Sequence, residues 1–217
     1  MNRRRADGVS MTEIVLARHG ETESNRLGVF RGRLDVPLNA AGRAQADGLA
    51  AALSSEPLAA VYSSPLRRAW ETAVAVAVPH GLSPVADEAF NNIDLGAWQG
   101  MEKARIEREQ PDLWRRWTTD PERLRLPGGE TLASVRERSR GRALELVAAH
   151  EGGRFAVVTH RSVIKVLAGA LLGLESPFWK LYLDNAAYCV IERRNGSCVL
   201  TKWNESCHVA QRVVERF

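Results

Sequence analysis

The sequence predicts an α/β fold: a three-layer α/β/α sandwich around a mostly parallel central sheet. Three observations predict it. Short apolar runs alternate with helix-spaced amphipathic segments. Polar residues rich in histidine and arginine follow directly on the ends of those runs. No linker, repeat or low-complexity segment divides the 217 residues, a length that suits one sizeable core.

The elements follow in order. Glu13-Ile14-Val15-Leu16-Ala17 reads as a buried strand that stops at Arg18-His19-Gly20. A helix begins after Leu38 with Asn39 as its N-cap, and Ala46, Leu49, Ala50 and Leu53 share one face. Residues 59–63 form a second strand. Pro65 suits the first turn of the next helix, which carries Leu66, Ala69, Trp70, Ala73, Val74 and Ala77 and ends at Pro79. A third strand lies near Pro84-Val85. Residues 101–118 read as helical, Pro127-Gly128-Gly129 as a loop, and 131–150 as helix again. Residues 154–159 are the clearest buried strand; it runs into His160, and a helix follows through Leu172. The end reads as a hairpin closed by Asn195-Gly196. The loops around 26–37 and 87–130 are the expected roof of a site.

Composition narrows the class. Hydrophobic residues make up 45% and charged residues 26%, an ordinary globular balance. No apolar run approaches the roughly 18 residues of a membrane span. Met1-Asn2-Arg3-Arg4-Arg5 has no apolar segment behind it, so it is not read as a secretory signal. Residues 1–10 are expected to be a flexible arm, ahead of a single domain over 11–217. The net charge of +4 permits an acidic ligand. No basic stripe with interleaved aromatics points to nucleic acid. Cys189, Cys198 and Cys207 lack the paired spacing of a zinc site or disulfide framework, which fits a cytoplasmic setting.

In open α/β sheets, ligands bind beyond the carboxyl ends of the strands. Here those ends supply Arg18-His19, then Ser63-Ser64 with Arg67-Arg68, then His160-Arg161. Two of these segments open into helices, whose N-terminal N–H groups favour anions. Arginine forks match phosphate oxygens, so the constellation suggests a phosphate site. Taken singly, each residue also has a structural reading: a core histidine, a solvated arginine, Asn25 as a turn residue.

The string Leu16-Ala17-Arg18-His19-Gly20-Glu21-Thr22-Glu23-Ser24-Asn25 resembles the R-H-G-E-T-x-x-N signature of the histidine phosphatase, or phosphoglycerate mutase-like, superfamily. Further stretches match in order: Gly32–Leu38 (G-x-x-D-x-P-L), Ser63–Ala73 (S-x-L-x-R-A-x-x-T-A), Ile93–Gly100 (F-G-x-W-E-G), Pro127–Glu130 and Val158-Thr159-His160. The resemblance spans Glu13 to His208. It implies that His19 attacks phosphorus and becomes a phosphohistidine. Arg18, Arg68 and His160 would hold the phosphoryl oxygens. Asn25 would add a phosphate contact, and Arg31 and Gly32 would touch the rest of the substrate. Spacing to Ala69 and Thr72 selects Arg68 over Arg67, which reads as a surface charge. The arginines would take the Lewis-acid role, so neither metal nor cofactor is expected. The implied partner is a small phosphorylated metabolite of the kind handled by α-ribazole and broad-specificity phosphatases.

Two positions depart from the pattern. Asn92 stands where phosphatases of this group carry an acid glutamate, and an amide has no proton to give at neutral pH. Arg161 stands where glycine is common, and could add charge for a polyanionic substrate or point into solvent. For the acid role, either Asp94 or Glu88 substitutes, or the leaving group needs little protonation as in an acyl phosphate, or the enzyme is slow or inactive. The rival functions are a cofactor-dependent phosphoglycerate mutase and a pseudo-phosphatase that binds phosphorylated ligands without turnover. Gly96-Ala97-Trp98-Gln99-Gly100 favours the phosphatase branch over the mutases.

Overall fold

The computed structural model describes residues 11–175 and 178–210; the expected N-terminal arm lies outside them. Six strands form one sheet: β1 (Thr12–Arg18), β2 (Ala60–Ser63), β3 (Val85–Ala86), β4 (Arg154–Thr159), β5 (Tyr188–Arg194) and β6 (Ser197–Glu205), in the order β3-β2-β4-β1-β5-β6. The first four are mutually parallel, and β5 and β6 add an antiparallel hairpin beside β1. The expected mostly parallel sheet is therefore present.

The three layers follow from alternation along the buried central strands. Val15 and Ala17 face one side and pack with Leu49, Leu53, Ala69, Ala73 and Val76, which belong to α2 (Ala40–Leu53) and α3 (Arg67–Ala77). Ile14 and Leu16 face the other and pack with Leu146, Ile164 and Leu167, from α6 (Leu132–Ala149) and α7 (Arg161–Leu172). Both faces are thus covered, as a parallel sheet requires. A third apolar cluster, centred on Phe30, Trp98, Trp117 and Phe178, caps the carboxyl ends of the strands. There Phe30 stacks on Trp98 with centroids 5.5 Å apart, and Trp117 meets Phe178 edge-on.

Asn39 caps α2 as expected, its side chain accepting from Gly42 N at 2.7 Å. Two readings need correction. Pro65 is not in the first turn of α3: Leu66 is the N-cap, and Pro65 lies in the preceding bend. Residues 101–118 are not one helix but α4 (Lys103–Glu109) and α5 (Pro111–Thr119), because the residue before a proline is driven out of the α region; Gln110 sits at φ −135°, ψ 56°. Together with the short α1 (Glu23–Arg26), these complete the α-helices of the described residues, which also hold four single-turn 3-10 helices.

Candidate active site

The carboxyl ends of β1, β2 and β4 lie side by side, because β4 pairs with both β1 and β2. That adjacency brings His19, Ser64 and His160 together from positions far apart in sequence. The rings of His19 and His160 meet edge to face, with centroids 5.2 Å apart. Both are buried, at 2% and 1% exposure.

The His19 ring is held in one sense. Its Nδ1 lies 2.6 Å from Gly20 O, and a carbonyl only accepts, so Nδ1 carries the proton. Nε2 is then left with a lone pair. Burial, followed by the charges of Arg68, Arg18 and Arg31, pushes the His19 pKa well below 6.5. His160 is lowered in the same way, first by burial and then by Arg68. Its Nε2 bonds Ser64 Oγ at 2.8 Å, and its Nδ1 is buried without a partner among the described residues.

The loop bearing His19 is fixed from several directions. Gly20 N donates to Thr72 Oγ1 at 3.1 Å, and Thr72 Oγ1 donates to Arg68 O. Asn185 Nδ2 donates to His19 O. A Cβ on Gly20 would overlap the carbonyl of Gly42, so only glycine lets the start of α2 approach this closely.

Arg18 is 1% exposed and donates to Leu183 O at 2.7 Å. Arg68 is fully buried, and its fork donates to Leu34 O (2.7 Å) and Gly32 O (2.8 Å), tying the 31–34 loop to α3. Its Nε is buried without a partner among the described residues. Burial, then the neighbouring charge of Arg31, pulls the Arg68 pKa down to about 9 against the opposing pull of Asp35, so it stays charged at neutral pH. Arg67 is exposed and pairs with Glu71 at 2.7 Å, the surface role expected of it.

A cavity opens onto His19 and His160. Arg31, Gly32, Asn92, Arg161 and Ser162 line it together with an apolar wall of Phe30, Ile93, Leu95 and Trp117. Asn92 is 8% exposed; its Nδ2 donates to Gly32 O at 2.9 Å, and its Oδ1 is buried without a partner among the described residues. Arg138 supports this segment from α6, donating to Ala89 O, Asn92 O and Glu130. Burial would raise the Glu130 pKa, but Arg138, Asp94 N and Arg33 outweigh it and hold the carboxyl below its ordinary value.

Of the residues singled out from sequence, His19, His160, Arg31, Gly32, Asn92 and Arg161 line one cavity. Arg18 and Arg68 act on it by charge. Asn25 does not line it: its Oδ1 accepts from Thr22 N and Thr22 Oγ1 in a capping box for α1. Glu88 accepts from Asn91 Nδ2, and Asp94 accepts from Gly96 N, so neither candidate substitute for the acid lines the cavity. Sequence reasoning gave no role to Ser64, Thr72, Arg138 or Asn185. The Ser63-Ser64 pair at a strand end was a signal for the first; Asn185 had none.

Residues 14–206 match the model of the Histidine phosphatase superfamily (branch 1). The chain is 38% identical over 209 residues to Phosphoserine phosphatase 1 of Hydrogenobacter thermophilus, covering 94% of this chain and 98% of that protein. Mycobacterial glucosyl-3-phosphoglycerate phosphatase in complex with VO3 superposes with a TM-score of 0.82 at 32% identity, covering 88% of this chain and 98% of that one. An Entamoeba histolytica phosphoserine phosphatase variant in complex with phosphoserine superposes at 0.82 with 28% identity, over 91% and 99% of the two chains. The chain belongs to branch 1 of the histidine phosphatase superfamily. Among the described residues, no helix is long and apolar enough to cross a membrane.

Proposed function

We propose that this protein is a metal-independent phosphomonoester hydrolase that acts on small phosphorylated metabolites through a phosphohistidine on His19. The observation that carries the reading is the His19 ring. Nδ1–H is committed to Gly20 O, and burial together with the surrounding arginines keeps the ring neutral, so the Nε2 lone pair is available to attack phosphorus. Relatives named as phosphoserine and glucosyl-3-phosphoglycerate phosphatases support the phosphatase activity.

In the first step Nε2 forms an N–P bond while the P–O bond to the leaving group breaks. Arg18, Arg31, Arg68 and the His160 Nδ1 face, together with the first N–H groups of α7, stabilise the charge on the phosphoryl oxygens. In the second step water attacks phosphorus, the N–P bond breaks, and the electron pair returns to Nε2. Arginines supply the positive charge throughout, and Asn92 occupies the acid's place without its proton.

Phosphate release from p-nitrophenyl phosphate, measured for the wild type and for His19→Ala in chelator-treated buffer, tests this. His19-dependent turnover that survives the chelator is expected. No turnover in either protein would instead support a pseudo-phosphatase that binds phosphorylated ligands without reacting.

A further inference from the structure

We propose that the leaving groups handled at this site depart without taking a proton: the substrates are acyl phosphates, or esters whose leaving group is a comparably stable anion. The inference rests on the phosphohistidine reading above and adds the substrate class.

An alkyl phosphate cannot be cleaved this way unaided, because the departing alkoxide is too basic to leave without a proton. Among the described residues that line the cavity there is no carboxyl group. The nearby carboxylates are committed elsewhere: Glu88 to Asn91, Asp94 to Gly96 N, Asp35 to Arg67 N, and Glu130 to Arg33 and Arg138. Asn92 lines the cavity, but an amide N–H has no proton to transfer to a leaving oxygen. One Nδ2–H is bonded to Gly32 O, a carbonyl that only accepts, and this sets which side of the amide is nitrogen and leaves Oδ1 buried as an unfilled acceptor. An acceptor there suits the incoming water. His160 is buried beside arginines as a neutral ring, a poor acid. What the cavity does supply is positive charge, from Arg31 and Arg161, which suits a departing anion.

The balance of protons agrees. With an acyl phosphate, His19 Nε2 bonds to phosphorus and the P–O electron pair leaves on the carboxylate. Water then displaces Nε2, and both of its protons remain on dihydrogen phosphate. The enzyme neither gives nor takes a proton. With an alkyl ester, one proton must reach the alkoxide, and no lining carboxyl provides it.

The test compares kcat/KM for acetyl phosphate, p-nitrophenyl phosphate, phenyl phosphate and O-phosphoserine on the wild type, His19→Ala and Asn92→Glu. A general acid is worth ~10²–10⁴-fold, so the wild type should favour acetyl and p-nitrophenyl phosphate over O-phosphoserine by about 100-fold or more. The two phenyl esters share a shape and isolate leaving-group strength from fit. Asn92→Glu should narrow the gap by raising O-phosphoserine turnover. A wild type that cleaves O-phosphoserine within a few-fold of acetyl phosphate, with turnover lost in His19→Ala, overturns this proposal alone. That comparison does not depend on the folding of Asn92→Glu. No His19-dependent turnover of any of the four overturns the underlying phosphohistidine reading as well.

Discussion

Lowering the pH from 7.5 to 5.5 should destabilise the fold through the two active-site histidines. His19 and His160 are buried, and both have pKa values well below 6.5. In the unfolded chain they return to an ordinary histidine pKa near 6.5. As the pH falls through 6.5, the unfolded state takes up protons that the folded state refuses. The stability present above 6.5 is therefore lost on acidification until the folded-state pKa is reached. A ring that stays neutral in the folded protein loses about 1–2 kcal/mol between pH 7.5 and 5.5, so the pair loses about 3 kcal/mol. That is a large share of a typical ~5–15 kcal/mol. His150 shifts in the same direction through burial. The Glu130 carboxyl, held below its ordinary value, stays ionised through this window. Urea unfolding followed by tryptophan fluorescence in phosphate-free buffer measures the effect. His19→Gln should remove about half of the active-site contribution. A free energy of unfolding that is flat from pH 7.5 to 5.5 would refute the claim that the folded rings are held neutral.

Three further outcomes follow from the same geometry. Arg68→Lys loses the fork that holds Leu34 O and Gly32 O; kcat/KM should fall ~10²–10³-fold, with a thermal-melt loss of about 1.5–3 kcal/mol. Thr72→Val leaves Gly20 N buried without an acceptor, which should cost about 1–3 kcal/mol in denaturant unfolding and lower kcat by loosening the His19 loop. Gly32→Ala meets a φ of +51° and places a Cβ against the Gln99 side chain; about 1–3 kcal/mol of stability should be lost, and KM should rise because Arg31 moves with the loop.

The strand ends were the legible part of the site. His19 and His160 each follow directly on a buried apolar run, so sequence alone places them at the edge of a parallel sheet. Arg68 is legible through its spacing in the helix that follows β2. The groups that hold them were not. Arg18 finds Leu183 O 165 positions away, and His19 O receives Asn185; no local pattern encodes contacts made only when β5 docks beside β1. The Gly20–Gly42 approach is equally non-local. The misread helix starts have local causes. Pro65 looked like a first-turn proline, but the chain bends there before Leu66 caps the helix. Pro111 is a first-turn proline that splits what periodicity alone joined.

The most direct measurement is to trap the intermediate. The wild type is mixed with p-nitrophenyl phosphate, quenched within milliseconds in alkaline denaturant, digested and mapped by mass spectrometry. A phosphoryl group on the peptide containing His19, stable to base, labile to acid and missing from His19→Ala, is the predicted result. Phosphate release by the wild type at rates that His19→Ala preserves, with no phosphopeptide at His19, would contradict the account.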